Sequence, residues 1–276
     1  MNDNAKLTVK FFGLFIACAL GLYFFSYYVM LDAKERKGWF VFDPISHEHV
    51  KEPMEMDWSF DGIFGKYDRQ SAQRGYQVYK EVCASCHGLR LISFRQLQDL
   101  GFSEAETKAL AAEYNYDSIN DDGDIEDRPG NPSDRFKSPF ANAKAAAAMN
   151  NGKAPPDLSL MVKARPNGAN YIYSLLTGYE SAPAHAELQP GLNFNPYFPG
   201  EQIAMAAPLQ AGQVEYMDGT EATVGQMSQD VVNFLQWTAE PDMEKRKRMG
   251  IKIMILLSVM TIFFYAAKVR IWARVK

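Results

Sequence analysis

Cysteine and histidine are scarce in this chain, which has three cysteines and four histidines among 276 residues. So few cysteines argue against a disulfide-stabilised scaffold. A structural zinc site needs four Cys or His ligands, and this small supply argues against one as well. Two of the three cysteines fall in a single pentapeptide, which leaves Cys18 alone within an apolar run.

The pentapeptide Cys83-Ala84-Ser85-Cys86-His87 has the C-x-x-C-H spacing that attaches c-type haem. Each thiol can add to one vinyl group of the porphyrin, and the histidine that follows can ligate the iron. A thioredoxin-like redox pair does not need His87 and lies in a βαβ context, which this stretch lacks. Because the motif occurs once, the sequence predicts one covalent haem c held by Cys83, Cys86 and His87.

Acidic residues are missing from the end of the chain. From Lys245 onwards there are nine Lys and Arg and no Asp or Glu, and residues 1–37 carry a net charge of +2. Because the whole chain has a formal net charge of −4, residues 38–244 carry −15. This acidic part favours solubility or a basic protein partner, and we expect no nucleic-acid partner.

Two long apolar runs lie near the two ends of the chain. Residues 11–31 contain no charge, and residues 251–267 contain only Lys252. Each run is long enough to cross a bilayer as a helix. A secretory signal peptide is the alternative for the first run, but the run is too long and no small-x-small cleavage site follows it. We therefore expect two transmembrane helices in the lipid bilayer.

The two spans divide the chain into six segments. We expect a cytoplasmic N-terminus (1–10), a span (11–31), a connector (32–60), a haem c domain (61–244), a second span (249–267) and a cytoplasmic tail (268–276). Basic residues flank both sides of each span, so the positive-inside rule does not give the orientation. Covalent haem is normally attached outside an energy-conserving membrane. The haem domain is therefore expected on the periplasmic side of the inner cell membrane, or its mitochondrial equivalent.

Helical patterns dominate the central segment. We predict helices over residues 68–82, 103–114, 142–150, 169–177 and 228–240, and a capping box of Ser103 and Glu106 opens the second. Residues 115–139 and 181–200 lack periodicity and are predicted as loops. Acidic residues gather in the first of these loops, among them Asp121, Asp122, Asp124, Glu126 and Asp127. Such a run indicates either a solvated loop or a docking surface for a cationic partner.

A haem that carries electrons has protein ligands on both sides of the iron, and a thioether as the second ligand raises its potential. Met205 lies among small residues in the non-periodic stretch IAMAAP, which can present its sulfur to a flat ring. Met149 and Met161 are more easily interpreted as helix or core residues. From the residues alone Met205 leads, and His185 stays open as an alternative ligand.

Several longer motifs occur in one order. They are RGYQVYKEVCASCH (74–87), NNGKAPPDLSL (150–160), VKAR (162–165), YIYSLLTGY (171–179), NPYFPG (195–200), IAMAAP (203–208) and FLQWTAEP followed by KRKRMG (234–250). By these motifs the chain resembles the cytochrome c1 family, the haem c subunits of the ubiquinol:cytochrome c oxidoreductase or bc1 complex. The resemblance implies a mainly α fold, a cytochrome c-like haem domain with long loop insertions, anchored by N-terminal and C-terminal transmembrane helices.

The resemblance also implies a site. Met205 becomes the sixth ligand, and the haem is surrounded by Asn150, Pro156, Arg165 and Tyr171. Arg165 and Tyr171 are expected to meet its propionates, since a buried propionate needs charged and hydroxyl donors. Family members more often have a proline one or two places after the ligand methionine, whereas Pro208 here is three places on.

The implied function is electron transfer in a dimeric complex. The chain would relay electrons from a Rieske iron–sulfur protein to a c-type cytochrome, beside cytochrome b, as a subunit of quinol:cytochrome c reductase without bond chemistry of its own. A membrane-anchored haem sensor or peroxidase-like enzyme is an alternative that requires an open distal face. A haem c subunit of a terminal oxidase is a third hypothesis, and the PPDLS and NPYFPG motifs favour cytochrome c1 over it.

Overall fold

The computed structural model describes residues 51–183 and 186–274, and these are mainly helical. The α-helices are Arg69–Glu81 (α1), Glu104–Ala112 (α2), Ala143–Met149 (α3), Gly168–Thr177 (α4), Val224–Ala239 (α5) and Met243–Trp272 (α6), and two 3-10 helices are Cys83–Ser85 and Phe94–Leu100. Asn115–Ile119 (β1) pairs antiparallel with Ile125–Pro129 (β2), and Asn193–Phe194 (β3) pairs with Gln202–Ile203 (β4). The mainly α class is confirmed for these residues, and the span predicted at 11–31 lies outside them.

Side-chain caps explain where the main helices begin. The carboxylate of Asp68 accepts a hydrogen bond from the backbone N–H of Ser71 at 3.1 Å and opens α1. The predicted capping box of Ser103 and Glu106 is confirmed at the start of α2. Helix α5 begins earlier than the predicted residue 228, because Thr223 accepts from the N–H of Gln226 at 3.1 Å and caps the helix there.

Helices α1 and α5 approach backbone to backbone at Gly75. A Cβ atom at this position would lie 2.0 Å from the carbonyl oxygen of Asp230, so only glycine fits. Beside this contact the buried Asp230 carboxylate accepts two hydrogen bonds of 3.0 Å from the guanidinium of Arg74 and one of 2.7 Å from the Ser71 hydroxyl. A buried carboxylate requires such partners, and these bonds fix α1 against α5.

An aromatic cluster surrounds this helix contact. The ring centroid of Phe234 on α5 lies 5.6 Å from that of Tyr76 and 5.7 Å from that of Tyr79, both on α1. Phe136 packs against Phe94 in a tilted arrangement, with ring centroids 4.3 Å apart, and extends the cluster beyond the two helices. Buried aromatic rings contribute much of the hydrophobic stabilisation of a small domain. The C-terminal end of α1, where the pentapeptide begins, is therefore held by the core.

Residues 51–60 pack onto the domain although the sequence analysis assigns them to the connector. The backbone N–H of Met54 donates to the hydroxyl of Ser174 on α4 at 2.8 Å. The indole N–H of Trp58 donates to the amide oxygen of Asn170 at 2.7 Å. Trp58 and Phe60 are both buried, so this segment contributes to the core.

The loop predicted for residues 115–139 is wrong for its first part, which forms the β1–β2 hairpin. At its base the Arg128 guanidinium binds both carboxylate oxygens of Asp134, at 2.6 and 2.9 Å. At its tip the side-chain oxygen of Asn120 accepts the N–H groups of Asp122 and Asp124 at 3.1 and 2.9 Å. The acidic stretch is therefore an ordered projection.

Among the described residues, α6 is the one helix that is long and apolar enough to cross a membrane. Its apolar side chains after Gly250 are mostly exposed, as expected for a helix that faces lipid. Its first turns contact the domain: Glu244 binds the guanidinium of Arg69 at 3.1 and 3.2 Å, and the Lys247 ammonium donates to the carbonyl of Phe60 at 2.6 Å. Glu244 and Lys247, on the turns before the apolar stretch, thus join this helix to the domain.

Candidate haem-binding site

The pentapeptide forms a tight turn directly after α1. The N–H groups of Cys86 and His87 both donate to the carbonyl of Cys83, at 3.1 and 2.8 Å. This turn leaves the two thiols unpaired and partly buried. Burial of the sulfur, and to a smaller extent the nearby Cys86 thiol, raises the pKa of the Cys83 thiol to about 12. This thiol is therefore neutral near pH 7.

In the imidazole of His87 one nitrogen makes a hydrogen bond, and the other has no hydrogen-bond partner among the described residues. Its Nδ1 lies 2.7 Å from the carbonyl oxygen of Pro156. Because a carbonyl only accepts, Nδ1 carries the proton in this hydrogen bond, and Nε2 keeps its lone pair. Burial also lowers the pKa of His87 and favours the neutral ring. Ligating histidines usually have this arrangement, in which the other ring nitrogen donates to a backbone carbonyl.

Residues 156–159 are tied to the chain that follows the pentapeptide. The carboxylate of Asp157 accepts from the N–H of Arg90 at 2.9 Å and from the N–H of Ser159 at 3.0 Å. The N–H of Leu158 donates to the carbonyl of Gly88 at 2.9 Å. These bonds hold the Pro156 carbonyl, which in turn orients His87.

Met205 lies two residues after β4, and two side chains bind its backbone carbonyl. The hydroxyl of Tyr179 donates to the carbonyl of Met205 at 3.0 Å, and the side-chain amide of Asn193 donates to the same oxygen at 3.4 Å. Burial, and to a smaller extent the nearby Tyr171, raises the pKa of Tyr179. Its hydroxyl therefore stays protonated and remains a hydrogen-bond donor at neutral pH.

The other expected haem contacts lie directly after α3, on α4 and in the chain before α4. Burial raises the pKa of the Tyr171 phenol, and the positive charge of the nearby Arg165 guanidinium offsets part of this rise. Asn150 follows α3, and its amide donates to the carbonyl of Ala146 at 2.8 Å. Of the alternative ligands, Met149 is 76% exposed, Met161 packs against the core, and His185 lies outside the described residues.

This donor set fits a covalent haem c. Two unpaired thiols stand three positions apart on one turn, and the imidazole beside them has a free Nε2. Met205, the predicted second ligand, is half-buried in the loop after β4, and a thioether is the type of ligand that raises a haem potential.

Comparison with known proteins gives the family. The Cytochrome C1 family model matches residues 58–275. Cytochrome c1 of Rhodospirillum rubrum is 50% identical over 239 residues, which cover 80% of this chain and 88% of that protein. The chain belongs to the cytochrome c1 family. The mitochondrial cytochrome c1 1 heme protein of Arabidopsis thaliana is 52% identical over 213 residues, 77% of this chain and 69% of that protein.

Cytochrome c1 is a haem-containing electron-transport subunit of respiratory complex III, and its family carries a covalently bound haem c. It is anchored in a membrane, which agrees with the exposed apolar helix α6. A relative named cytochrome b/c1, from Bradyrhizobium diazoefficiens, is 45% identical over 254 residues, which cover 84% of this chain and 37% of that protein. The predicted resemblance to cytochrome c1 is therefore confirmed.

The acidic run that was predicted to dock a partner lies on the β1–β2 hairpin. All five of the residues expected to dock a partner are exposed: Asp121, Asp122, Asp124, Glu126 and Asp127. Asp117 lies directly opposite Asp127 in the strand register, and like charges at such a pair destabilise a hairpin. Two apolar side chains stand beside them, since Ile119 is 75% and Ile125 is 78% exposed.

Sequence reasoning missed several residues that position the site. Tyr179 and Asn193 hold the backbone at Met205, and Tyr79 donates its hydroxyl to the carbonyl of His87 at 3.0 Å. Asp157 holds the turn that contains the Pro156 carbonyl. Tyr79, Asp157 and Tyr179 lie inside the family motifs, but the backbone groups they bind have no signature in the sequence.

Proposed function

We propose that this chain relays single electrons from a Rieske iron–sulfur protein to a c-type cytochrome within the bc1 complex. The observation that carries the proposal is the hydrogen bond from Nδ1 of His87 to the Pro156 carbonyl at 2.7 Å. It leaves Nε2 free beside two unpaired thiols, as a covalent haem with a histidine ligand requires.

In this proposal Cys83 and Cys86 form the two thioethers, and His87 and Met205 are the axial ligands. When bound, haem c supplies a one-electron iron couple. The hydrogen bond from Tyr179 fixes the backbone of Met205, which restricts where its sulfur can point. Filling both axial positions excludes small ligands and keeps the chain a relay without bond chemistry of its own.

Four side chains are proposed to surround the porphyrin, and two of them to bind its propionate groups. Arg165 and the nearby Tyr171 are proposed to donate to the propionates, and Asn150 and Pro156 complete the contacts. A guanidinium and a hydroxyl are suitable donors to a carboxylate that is removed from water. These residues would hold the haem in a fixed position. The protein around it would then change little when the iron gains or loses an electron.

The proposed arrangement in the membrane follows from the anchor. The haem domain lies on the periplasmic side, or its mitochondrial equivalent, with both termini cytoplasmic and with residues 11–31 as a second anchor. Cytochrome b is the proposed neighbour of α6, in a dimeric complex. A relative whose name joins b and c1 in one chain supports this partnership.

A single-turnover experiment tests the proposed relay. Ubiquinol is mixed with the purified complex, and the c-type absorption band is followed before and after oxidised cytochrome c is added. We expect reduction by the quinol and reoxidation by cytochrome c, with no reduction in a complex that lacks the Rieske protein. Reduction that is unchanged without the Rieske protein contradicts the proposed electron donor.

The acidic hairpin is proposed to steer a basic cytochrome c. Replacing Asp121, Asp122 and Asp124 by asparagine is expected to lower the association rate roughly tenfold at low ionic strength, because steering by surface charge accelerates encounter. The difference should disappear at high salt, where exposed charges are screened. Stopped-flow reoxidation over a range of salt concentrations measures both effects.

A matched control removes three exposed acids elsewhere. Glu187, Glu215 and Glu221 are exposed, and their replacement by glutamine changes the net charge by the same amount. The backbone N–H groups of Asp122 and Asp124, and not their carboxylates, make the bonds at the hairpin tip, so the asparagine variant keeps the hairpin. An equal fall in rate for both triple variants would mean that net charge, and not the hairpin, governs the encounter.

A further inference from the structure

Two apolar side chains project from the loop of residues 61–65. Ile63 is 53% exposed and Phe64 is 81% exposed. They are flanked on both sides by buried aromatic residues, because Phe60 before them and Tyr67 after them belong to the core. Leaving a phenylalanine in water forgoes the stabilisation that its burial provides. Within the described part of the chain nothing buries these two side chains, which points to a contact beyond it.

The loop is a closed turn that holds these side chains outward. The N–H of Asp61 donates to the carbonyl of Trp58 at 3.0 Å, and the N–H of Lys66 donates to the carbonyl of Ser59 at 2.8 Å. Gly62 has a φ of +70°, and a Cβ at Gly65 would lie 2.0 Å from the carbonyl oxygen of Asp61. Such a conformation requires glycine at both positions. The projection of Ile63 and Phe64 is therefore built into the backbone.

The loop lies beside the start of the membrane-spanning helix. The Lys247 ammonium donates to the carbonyl of Phe60 at 2.6 Å and to that of Gly65 at 3.4 Å, so it binds both ends of the loop. Lys247 precedes the apolar stretch that starts at Ile251 by about one helical turn, roughly 6 Å along the axis. The loop of residues 61–65 is thus close to the level at which α6 leaves the hydrocarbon core of the bilayer.

We propose that Ile63 and Phe64 insert into the lipid headgroup region of the bilayer and fix the height and tilt of the domain above the membrane. Aromatic side chains are enriched at this level, and apolar groups of interfacial segments bury about 5–10 Å deep there. The exposed guanidinium of Arg248 on the adjacent turn of α6 suits anionic headgroups. The inference rests on α6 crossing the membrane and does not depend on the residues proposed to hold the haem.

Collision accessibility of a spin label tests the insertion. Phe64→Cys is introduced with Cys18→Ser, labelled, and assembled in the complete complex in lipid nanodiscs; the Cys18→Ser complex gives the background signal. We expect strong relaxation by oxygen, which concentrates in lipid, and weak relaxation by a water-soluble nickel chelate. Met217→Cys is the water control, since Met217 is completely exposed on the domain, and Phe263→Cys in α6 is the membrane control.

Two results would overturn the proposal. Nickel accessibility at residue 64 equal to that at residue 217 would put the loop in water. Protection from both oxygen and nickel would mean that another subunit covers Phe64. A several-fold higher oxygen-to-nickel ratio at residue 64 than at residue 217 supports insertion into lipid.

Discussion

Replacing Met205 by leucine is expected to lower the midpoint potential of the haem by at least about 100 mV, within the range of about 0.8 V that axial ligation spans. The loss follows because a thioether ligand stabilises the reduced iron. The same substitution should open one axial position to carbon monoxide. Leucine and methionine have similar volumes, so the cost to folding should stay below about 1.5 kcal/mol. Redox titration and absorption spectroscopy of the purified complex measure both changes.

Met161→Leu is the matched control for this substitution. Met161 is partly buried against the core, so the change also replaces a thioether inside the domain. We expect its potential and its behaviour towards carbon monoxide to equal those of the wild type. If Met205→Leu leaves the potential unchanged, Met205 is not the ligand, and His185 becomes the next residue to replace.

Replacing Gly75 by alanine is expected to destabilise the domain by about 3 kcal/mol or more, at the upper end of the usual cost of overpacking. The added Cβ would lie 2.0 Å from the carbonyl oxygen of Asp230 and 2.8 Å from the Cβ of Phe234. Because the first of these atoms is backbone, α1 and α5 must move apart. The separation would also lengthen the hydrogen bonds between Arg74 and the buried Asp230.

The free energy of unfolding of the detergent-purified chain, measured by urea titration, tests this expectation. Gly225→Ala, at the start of α5, is the control, since the nearest atom to its added Cβ is the Tyr173 hydroxyl at an ordinary 3.6 Å. That variant should be neutral or more stable by up to about 1 kcal/mol, because alanine favours a helix. Equal stability of the two variants would show that the α1–α5 contact tolerates a methyl group.

The fold was predictable where a local signal coincides with a tertiary contact. Helix α1 falls inside the predicted residues 68–82 because Asp68 caps it and its apolar positions meet the core. The β1–β2 hairpin was missed because its half-buried positions include Tyr116 and Ser118 among charged neighbours, so the alternation of its strands is not hydrophobic. The Asp122-Gly123 turn was the available signal, since Gly123 has a φ of +89°.

The candidate site divides in the same way. Cys83, Cys86 and His87 lie within one pentapeptide, so their spacing alone predicts their chemistry. The Pro156 carbonyl and the Tyr179 hydroxyl act on residues that are distant in the chain. The Pro156 carbonyl oxygen meets the His87 imidazole only after the chain folds, and the sequence of either segment does not predict that contact.

The measurement that tests the central claim most directly is the absorption spectrum of the reduced wild-type complex before and after addition of carbon monoxide. His87 and Met205 as ligands predict a low-spin c-type haem whose bands do not change, because both axial positions are occupied. A shift of the c-type bands on addition of the gas would mean an open axial position. That result would contradict the electron relay proposed here and would favour a haem sensor or a peroxidase-like enzyme.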